Sequence, residues 1–125
     1  MTVLVDSDIL IEVSRGKDAD IVSKWMDLSR SDAAVLCSPV SVAELWAGAW
    51  PREHRVLEKL FQSLSCTPID DAIGRQAGRY VRRYGRSHGV EVADALIAAG
   101  AVANGAELWT QNRKHYPMKD VSFFK

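Results

Sequence analysis

Short apolar runs alternate along the chain with longer segments in which apolar residues recur at helical spacing. Val3 to Val5 and Ala34 to Cys37 are apolar runs without polar alternation, and Glu107 to Thr110 is a third predicted strand. Strands of this kind are typical of parallel sheets that helices cover on both faces. Thr67 to Ile69 is expected to be a short extended piece, and Val121 to Phe124 an edge strand.

Six segments carry helical periodicity, and residues that begin or end helices lie between them. Ser41-Val42-Ala43-Glu44 matches the capping-box pattern, so we expect a helix from there to about Trp50, before Pro51. The other predicted helices cover residues 8–14, a segment around 21–28, residues 54–65, a segment that begins at Asp70 or Asp71, and residues 92–104. Strands alternating with helices predict an α/β fold, with residues 1–125 forming one domain. We expect a three-layer α/β/α sandwich with a mostly parallel central sheet.

The composition is that of an ordinary globular protein, with 125 residues, 47% hydrophobic content and a formal net charge of zero. No apolar run approaches the roughly 18 residues that a membrane-spanning helix needs, so no membrane association is expected. The N-terminus lacks a basic region and reaches Asp6 early, which argues against a signal peptide. Cys37 and Cys66 are interpreted as reduced, buried thiols, and the cytoplasm is the expected compartment.

The zero net charge conceals an uneven distribution of charged residues. Acids are concentrated in the first quarter of the chain, whereas residues 72–90 contain no acid. In that stretch one predicted helix carries arginines spaced by 4, 3 and 4 residues: Arg75, Arg79, Arg82 and Arg86. A stripe like this is usually a solvated helix face. The absence of compensating acids also favours contact with RNA phosphate or with an acidic segment of a protein partner.

Four polar side chains from distant parts of the chain are expected to meet at one edge of the sheet. Asp6 ends the first strand, Glu44 opens the helix after the second, Asp94 lies in the first turn of the helix from Val92, and Asn112 follows the third strand. Ligands of α/β proteins bind at this edge, beyond the carboxyl ends of the strands. Oxygen ligands alone suit Mg²⁺ or Mn²⁺, which would activate water and offset charge on a phosphodiester. We therefore predict a metal-dependent nuclease in which Asp6, Glu44 and Asp94 bind the metal and Asn112 supports catalysis.

Each of these residues also has a purely structural interpretation. Asp6 or Asp8 could cap the first helix, and Glu44 is fully explained as the third position of a capping box. Thr110, a further supporting candidate with Asp8, could be a turn residue. Asp94 is the hardest to explain in this way, because it lies among residues bound for the interior, where an unpaired carboxylate is costly.

Four segments follow one another in a recognisable order: residues 5–11 (VDSDILI), 41–45 (SVAEL), 92–99 (VADALIAA) and 110–116 (TQNRKHY). They resemble the successive motifs of PIN-domain ribonucleases, most closely those of the VapC toxins of bacterial type II toxin–antitoxin pairs. The resemblance covers essentially the whole chain. It implies a Mg²⁺- or Mn²⁺-dependent endoribonuclease, usually a homodimer, which a VapB-like antitoxin silences by inserting near the acidic site.

The resemblance also places metal-binding or catalytic roles on Asp6, Glu44 and Asp94. The fourth position, often an acid in PIN domains, is Asn112 in this chain. An Asn can ligate through its carbonyl oxygen but brings no charge. A site for a single metal ion is therefore expected.

Three other functions are compatible with parts of the sequence. Trp46 and Trp50, four apart on a predicted helix, are first interpreted as core, but they could line a groove for a partner helix on a catalytically inert protein-binding module. Residues 85–89 match the G-x-S-x-G pattern of serine hydrolases, although they follow a helical segment rather than a strand. Asp6-Ser7-Asp8 resembles the paired aspartates of Mg²⁺-dependent phosphatases of the haloacid-dehalogenase type, without their downstream Thr.

Overall fold

The computed structural model describes residues 1–125 and contains a parallel sheet of five strands in the order β3-β2-β1-β4-β5. All four strand pairings are parallel, and the register sets Leu4 of the central strand beside Leu36 on one side and Leu108 on the other. The predicted parallel sheet and its edge strand are confirmed. The strands are β1 (Thr2–Val5), β2 (Ala34–Cys37), β3 (Ser65–Cys66), β4 (Glu107–Trp109) and β5 (Ser122–Phe123).

Six α-helices connect and cover these strands: α1 (Ser7–Arg15), α2 (Ala19–Arg30), α3 (Pro39–Ala47), α4 (His54–Gln62), α5 (Asp71–His88) and α6 (Val92–Ala103). Short 3₁₀ turns lie at Pro51–Glu53 and Arg113–His115. The Asp70 side chain caps α5 by accepting a hydrogen bond from the main-chain N–H of Ile73 at 3.0 Å. Gly89 ends the same helix in the left-handed conformation, with φ of 67°. None of these helices is long and apolar enough to cross a membrane.

The sheet is buried on both faces, which accounts for the unbroken apolar character of its central strands. Leu4 and Leu108 pack against α5 and α6, whereas Val3, Val5 and Trp109 pack against helices α1 to α4. Successive side chains of a strand point to opposite faces, so β1 contributes to both cores. The three-layer α/β/α arrangement is confirmed, and the strand ends that it aligns position the candidate site.

The predicted start of α3 was wrong. The helix begins at Pro39 and is capped by Ser38, whose hydroxyl accepts a hydrogen bond from the N–H of Val40 at 3.1 Å. Proline is favoured at the first helical position because its φ is already helical and its missing N–H would have no partner there. Ser41 therefore lies inside the first turn, fully buried, and Glu44 is not the third residue of a capping box.

Three further predictions near this helix need correction. The helix ends at Ala47 rather than near Trp50, so Trp50 lies outside it. The edge strand β3 forms at Ser65–Cys66, just before the predicted extended piece at residues 67–69. Both cysteines are free thiols as expected, but Cys66 is exposed because it lies on this edge strand.

Candidate active site at the strand ends

The carboxyl ends of β1 and β4 bring the first group of acidic and polar side chains together. Asp6 directly follows β1, and its main-chain N–H donates a hydrogen bond to the carbonyl of Trp109 in β4 at 2.9 Å. Thr110 follows Trp109 and therefore lies beside Asp6 and Asp8. Asp94, in the first turn of α6, is close enough that the charge of Asp6 contributes to raising its pKa. Asp6, Asp8 and Thr110 therefore meet at this sheet edge, and Asp94 lies within range of the charge of Asp6.

Asp6 is only 7% exposed, and its carboxylate accepts three hydrogen bonds. Its Oδ1 accepts from the main-chain N–H of Ser7 at 2.7 Å, and its Oδ2 accepts from the hydroxyls of Thr110 and Tyr116, each at 2.8 Å. A capping side chain usually bonds the second or third N–H of its helix. Asp6 is the N-cap residue of α1, but its carboxylate bonds the first N–H of the helix and also two hydroxyls from the far end of the chain, so capping accounts for only one of its three bonds.

Glu44 is tied to the same edge through Ser7. The Ser7 hydroxyl lies 2.7 Å from Oε1 of Glu44 and 2.8 Å from the hydroxyl of Ser41. A carboxylate only accepts, and a serine has a single hydroxyl hydrogen, so Ser7 donates to Glu44 and Ser41 donates to Ser7. Because Ser7 is the chain neighbour of Asp6, this chain of hydrogen bonds fixes Glu44 near the strand ends.

Asn112 contacts Asp8 rather than Asp6. Oδ2 of Asp8 accepts hydrogen bonds from the side-chain amide of Asn112 at 3.2 Å and from the N–H of Gln111 at 2.9 Å, and the hydroxyl of Thr110 lies 3.4 Å away. Burial, followed by the charge of Asp6, raises the pKa of Asp8. Asn112 and Thr110 thus hold the two aspartates of the first motif in place.

Asp94 differs from the other acids in its surroundings. Burial is the main cause of its raised pKa; the positive charge of His115 opposes the shift, and the negative charge of Asp6 adds to it. His115 is an exposed residue of the turn after β4, and the sequence pattern did not single it out. Asp94 is therefore a partly buried acid facing another acid, with one imidazole nearby.

All hydrogen bonds donated to Asp6, Asp8 and Glu44 come from neutral groups. The two ion pairs of the protein lie within α1 and α5 and include none of these carboxylates. Burial is the main cause of the raised pKa values of Asp8 and Asp94, and the negative charge of Asp6 adds to it. A divalent cation with a preference for oxygen fits this donor set.

The acids are too widely spread to enclose an ion unaided. No group of three His, Cys, Asp or Glu side chains could hold a metal by itself. Mg²⁺ usually keeps several waters and takes only one or two protein carboxylates, with substrate phosphate completing its octahedral shell. The arrangement is therefore suited to a cation that substrate and water help to hold, rather than to a closed structural site.

Three site residues were missed by sequence reasoning: Ser7, Ser41 and Tyr116. Ser7 and Tyr116 fall inside segments that were recognised as motifs, at residues 5–11 and 110–116. Their residue types gave no signal, because a hydroxyl beside an apolar run predicts burial or capping equally well. Burial raises the pKa of Tyr116, and the charge and hydrogen bond of Asp6 raise it further, so the phenol remains a donor.

The arginine stripe lies on the exposed face of α5, and its members differ in their environment. Arg75 forms an ion pair with Asp71 at 2.8 Å, so this end of the stripe is compensated, contrary to expectation. Arg79 donates only to a neighbouring Gln side chain at 3.0 Å. Arg82 and Arg86 form neither ion pairs nor side-chain hydrogen bonds, and they line an open groove next to Val90. The free positive charge is therefore at the C-terminal end of α5.

The remaining candidates lie apart from the acids. Trp46 packs against the core between the sheet and α1–α4, with its ring 5.0 Å from that of His54. Trp50 is 62% exposed, beyond the end of α3, so the two tryptophans do not share a helix face. Ser87 is exposed in the last turn of α5, 2.7 Å from Nδ1 of His88, and no strand precedes it. A nucleophile elbow of the hydrolase kind is therefore not formed.

Comparison with known proteins gives consistent results. The family model of the PIN domain matches residues 3–121. Ribonuclease VapC10 of Mycobacterium tuberculosis H37Rv is 40% identical over 117 residues, which cover 93% of this chain and 86% of that protein. Ribonuclease VapC19 of the same strain is 35% identical over 116 residues, covering 92% of each. The crystal structure of VapBC2 from Rickettsia felis, bound to a DNA fragment from their promoter, has the same fold, with a TM-score of 0.83 and 18% identity over 99% of this chain and 98% of that one.

Proposed function

Because this chain belongs to the PIN-domain family and is a ribonuclease of the VapC type, we propose that it is a Mg²⁺- or Mn²⁺-dependent endoribonuclease and the toxin of a toxin–antitoxin pair. The observation that carries the metal dependence is the cluster of Asp6, Asp8, Asp94 and Glu44, whose hydrogen-bond donors are all neutral. A divalent cation at this edge would offset the charge of carboxylates that form no ion pair within the protein.

Asp6 and Asp94 are the proposed principal ligands, because the charge of Asp6, at the end of β1, reaches Asp94 in α6, and each lies partly or fully buried. Glu44, held by Ser7, supplies a third carboxylate from the opposite side of β1. When bound, the ion would activate a water and offset charge on an RNA phosphodiester during an in-line displacement. Asp8 and Asn112 hold each other, and Asn112 adds no charge, which supports a single ion.

RNA is proposed to reach this edge across the C-terminal end of α5. Residues 89–91 join α5 to α6, so the exposed Arg86 lies close in the chain to the helix turn that carries Asp94. Removing one arginine that binds a phosphate should reduce the slope of log affinity against log salt by about 0.7 for single-stranded RNA. Arg82→Gln together with Arg86→Gln should therefore weaken binding and flatten this slope, whereas Arg30→Gln, an exposed arginine on α2, should do neither.

Cleavage of a mixture of structured RNAs in Mn²⁺ or in EDTA tests the proposed activity. Wild type is expected to cleave only with metal, and Asp94→Asn is expected to lose cleavage. The matched control is Asp32→Asn, which makes the same carboxylate-to-amide change at an exposed position outside the cluster and should cleave normally. Cleavage that survives EDTA or the Asp94 substitution would contradict the mechanism. A phosphomonoesterase assay distinguishes the proposed nuclease from the phosphatase alternative, which predicts hydrolysis of a phosphate monoester.

A VapB-like antitoxin is the proposed protein partner, and the similarity of the fold to the VapBC2 structure supports it. A narrow cleft between α1, α3 and α4 is lined by Ile11, Leu45 and Leu57 and has Glu44 at its rim. An antitoxin segment with an apolar side chain and a basic one would fit both features, and such a segment should inhibit cleavage.

The expected homodimer is checked by light scattering of the isolated protein.

A further inference from the structure

Tyr116 combines a conventional core ring with an unusual hydroxyl contact. The side chain is 3% exposed, and it belongs to the core between the sheet and helices α5 and α6. Packing alone would be served equally well by phenylalanine. The hydroxyl, however, donates to Oδ2 of Asp6 at 2.8 Å, and it is the second hydroxyl on that same oxygen.

The bond from Tyr116 fills the last acceptor position of one Asp6 oxygen. Each carboxylate oxygen accepts about two hydrogen bonds or ligands through its lone pairs. Oδ2 is filled by the hydroxyls of Thr110 and Tyr116, whereas Oδ1 accepts only the N–H of Ser7 and retains one free position. Asp6 can therefore present a single oxygen, Oδ1, to a cation. Without the phenol, Oδ2 would regain a free position and the carboxylate could turn about its χ2 bond.

We propose that Tyr116 is a positioning residue of the cation site, because its hydroxyl fixes the Asp6 carboxylate with Oδ1 as the one oxygen available to the ion. The inference rests on the proposed metal dependence and adds to it a specific role for a residue of the core. Monodentate carboxylates suit the octahedral geometry of Mg²⁺, whereas Ca²⁺ also uses bidentate ones. Groups that orient a metal ligand from behind typically change affinity or activity by about 10–100-fold when removed.

Tyr116→Phe is the direct test, because it keeps the ring and removes only the hydroxyl. The protein offers a matched control in Tyr80, which is 5% exposed on α5 and donates to Oδ2 of Asp120, also at 2.8 Å. Tyr80→Phe breaks the same kind of bond to an aspartate that is not part of the acidic cluster. Mn²⁺ binding to the full chain is measured by calorimetry, after thermal unfolding in EDTA has verified that each variant is folded.

The expected result is a dissociation constant for Mn²⁺ that is about 10–100-fold higher in Tyr116→Phe and unchanged in Tyr80→Phe. The Mn²⁺ concentration for half-maximal RNA cleavage should rise in parallel, while the rate at saturating Mn²⁺ returns towards that of wild type. Wild-type affinity in Tyr116→Phe, or an equal loss in Tyr80→Phe, overturns the role of Tyr116 and leaves the proposed function intact. If wild type itself binds no Mn²⁺, both this role and the metal dependence fail.

Discussion

Replacing Ser7 by alanine removes a hydroxyl that two other side chains use. Ser7 is 9% exposed, Ser41 is fully buried, and the only hydrogen bond of the Ser41 hydroxyl is with Ser7. Leaving that hydroxyl buried and unpaired costs about 1–3 kcal/mol. Glu44 is exposed, so water can replace its missing donor at little cost in stability. We therefore expect Ser7→Ala to lower the free energy of unfolding by about 1–3 kcal/mol.

Adding Ser41→Ala to this variant removes the unpaired hydroxyl, so the double variant should be more stable than Ser7→Ala alone. Coupling of this kind between contacting residues is about 0.5–3 kcal/mol. Urea unfolding in EDTA measures it, and RNA cleavage gives an independent readout. Cleavage should fall in Ser7→Ala and in the double variant, in which Glu44 loses its donor, but persist in Ser41→Ala. Stability losses of the two single variants that simply add in the double variant would refute the hydrogen-bond network.

Three further predictions follow from the same structure. In EDTA, Asp94→Asn should unfold at a higher temperature than wild type, because the substitution removes a charge that burial disfavours. Mn²⁺ at about 100 times its dissociation constant should stabilise wild type by about 2.7 kcal/mol and so reverse this order. Asp32→Asn should follow wild type in both conditions, and an unchanged order in Mn²⁺ would exclude Asp94 as a ligand. Because the pKa values of Asp8 and Asp94 are raised, the folded state binds protons at a higher pH than the unfolded state does. These two carboxylates should therefore contribute more stability to the metal-free protein as the pH falls towards their unfolded-state pKa of about 4. Thermal unfolding at several pH values measures this gain, which should shrink in Asp94→Asn. Gly89→Ala should lower the free energy of unfolding by about 1 kcal/mol, because φ at this position is 67°. Gly74→Ala, inside α5 with open space at its Cβ, should raise the free energy of unfolding by about the same amount, as measured by urea unfolding.

The elements that the sequence predicted well are those whose signals are local and agree with one another. Val3 to Val5 is apolar throughout because both of its faces are covered, and Gly89 ends α5 because no other residue takes its φ so readily. The start of α3 was mispredicted because two start signals compete within four residues. Ser38 and Pro39 provide the cap and the first helical residue, while the Ser41 hydroxyl is taken by Ser7, 34 residues away. A local pattern does not reveal a tertiary partner.

The candidate site divides in the same way. Asp6 and Asp94 could be expected at one edge because strand ends and helix starts are visible in the sequence. Tyr116 could not be expected there, since its bond to Asp6 spans 110 residues and depends on the exact path of the turn after β4.

The neutral hydrogen-bond donors at this edge affect both the stability of the metal-free fold and its affinity for a cation. A lysine or arginine in place of Thr110 would pair with the aspartates and lower their pKa values, which would stabilise the metal-free fold. The same cation would occupy the position that a divalent ion needs. The hydroxyls and N–H groups orient the carboxylates without neutralising them. The raised pKa values of Asp8 and Asp94 show that ionising these two side chains in the metal-free fold is unfavourable. Stability of the metal-free protein and affinity for the cation should therefore change in opposite directions for any substitution that alters charge at this edge.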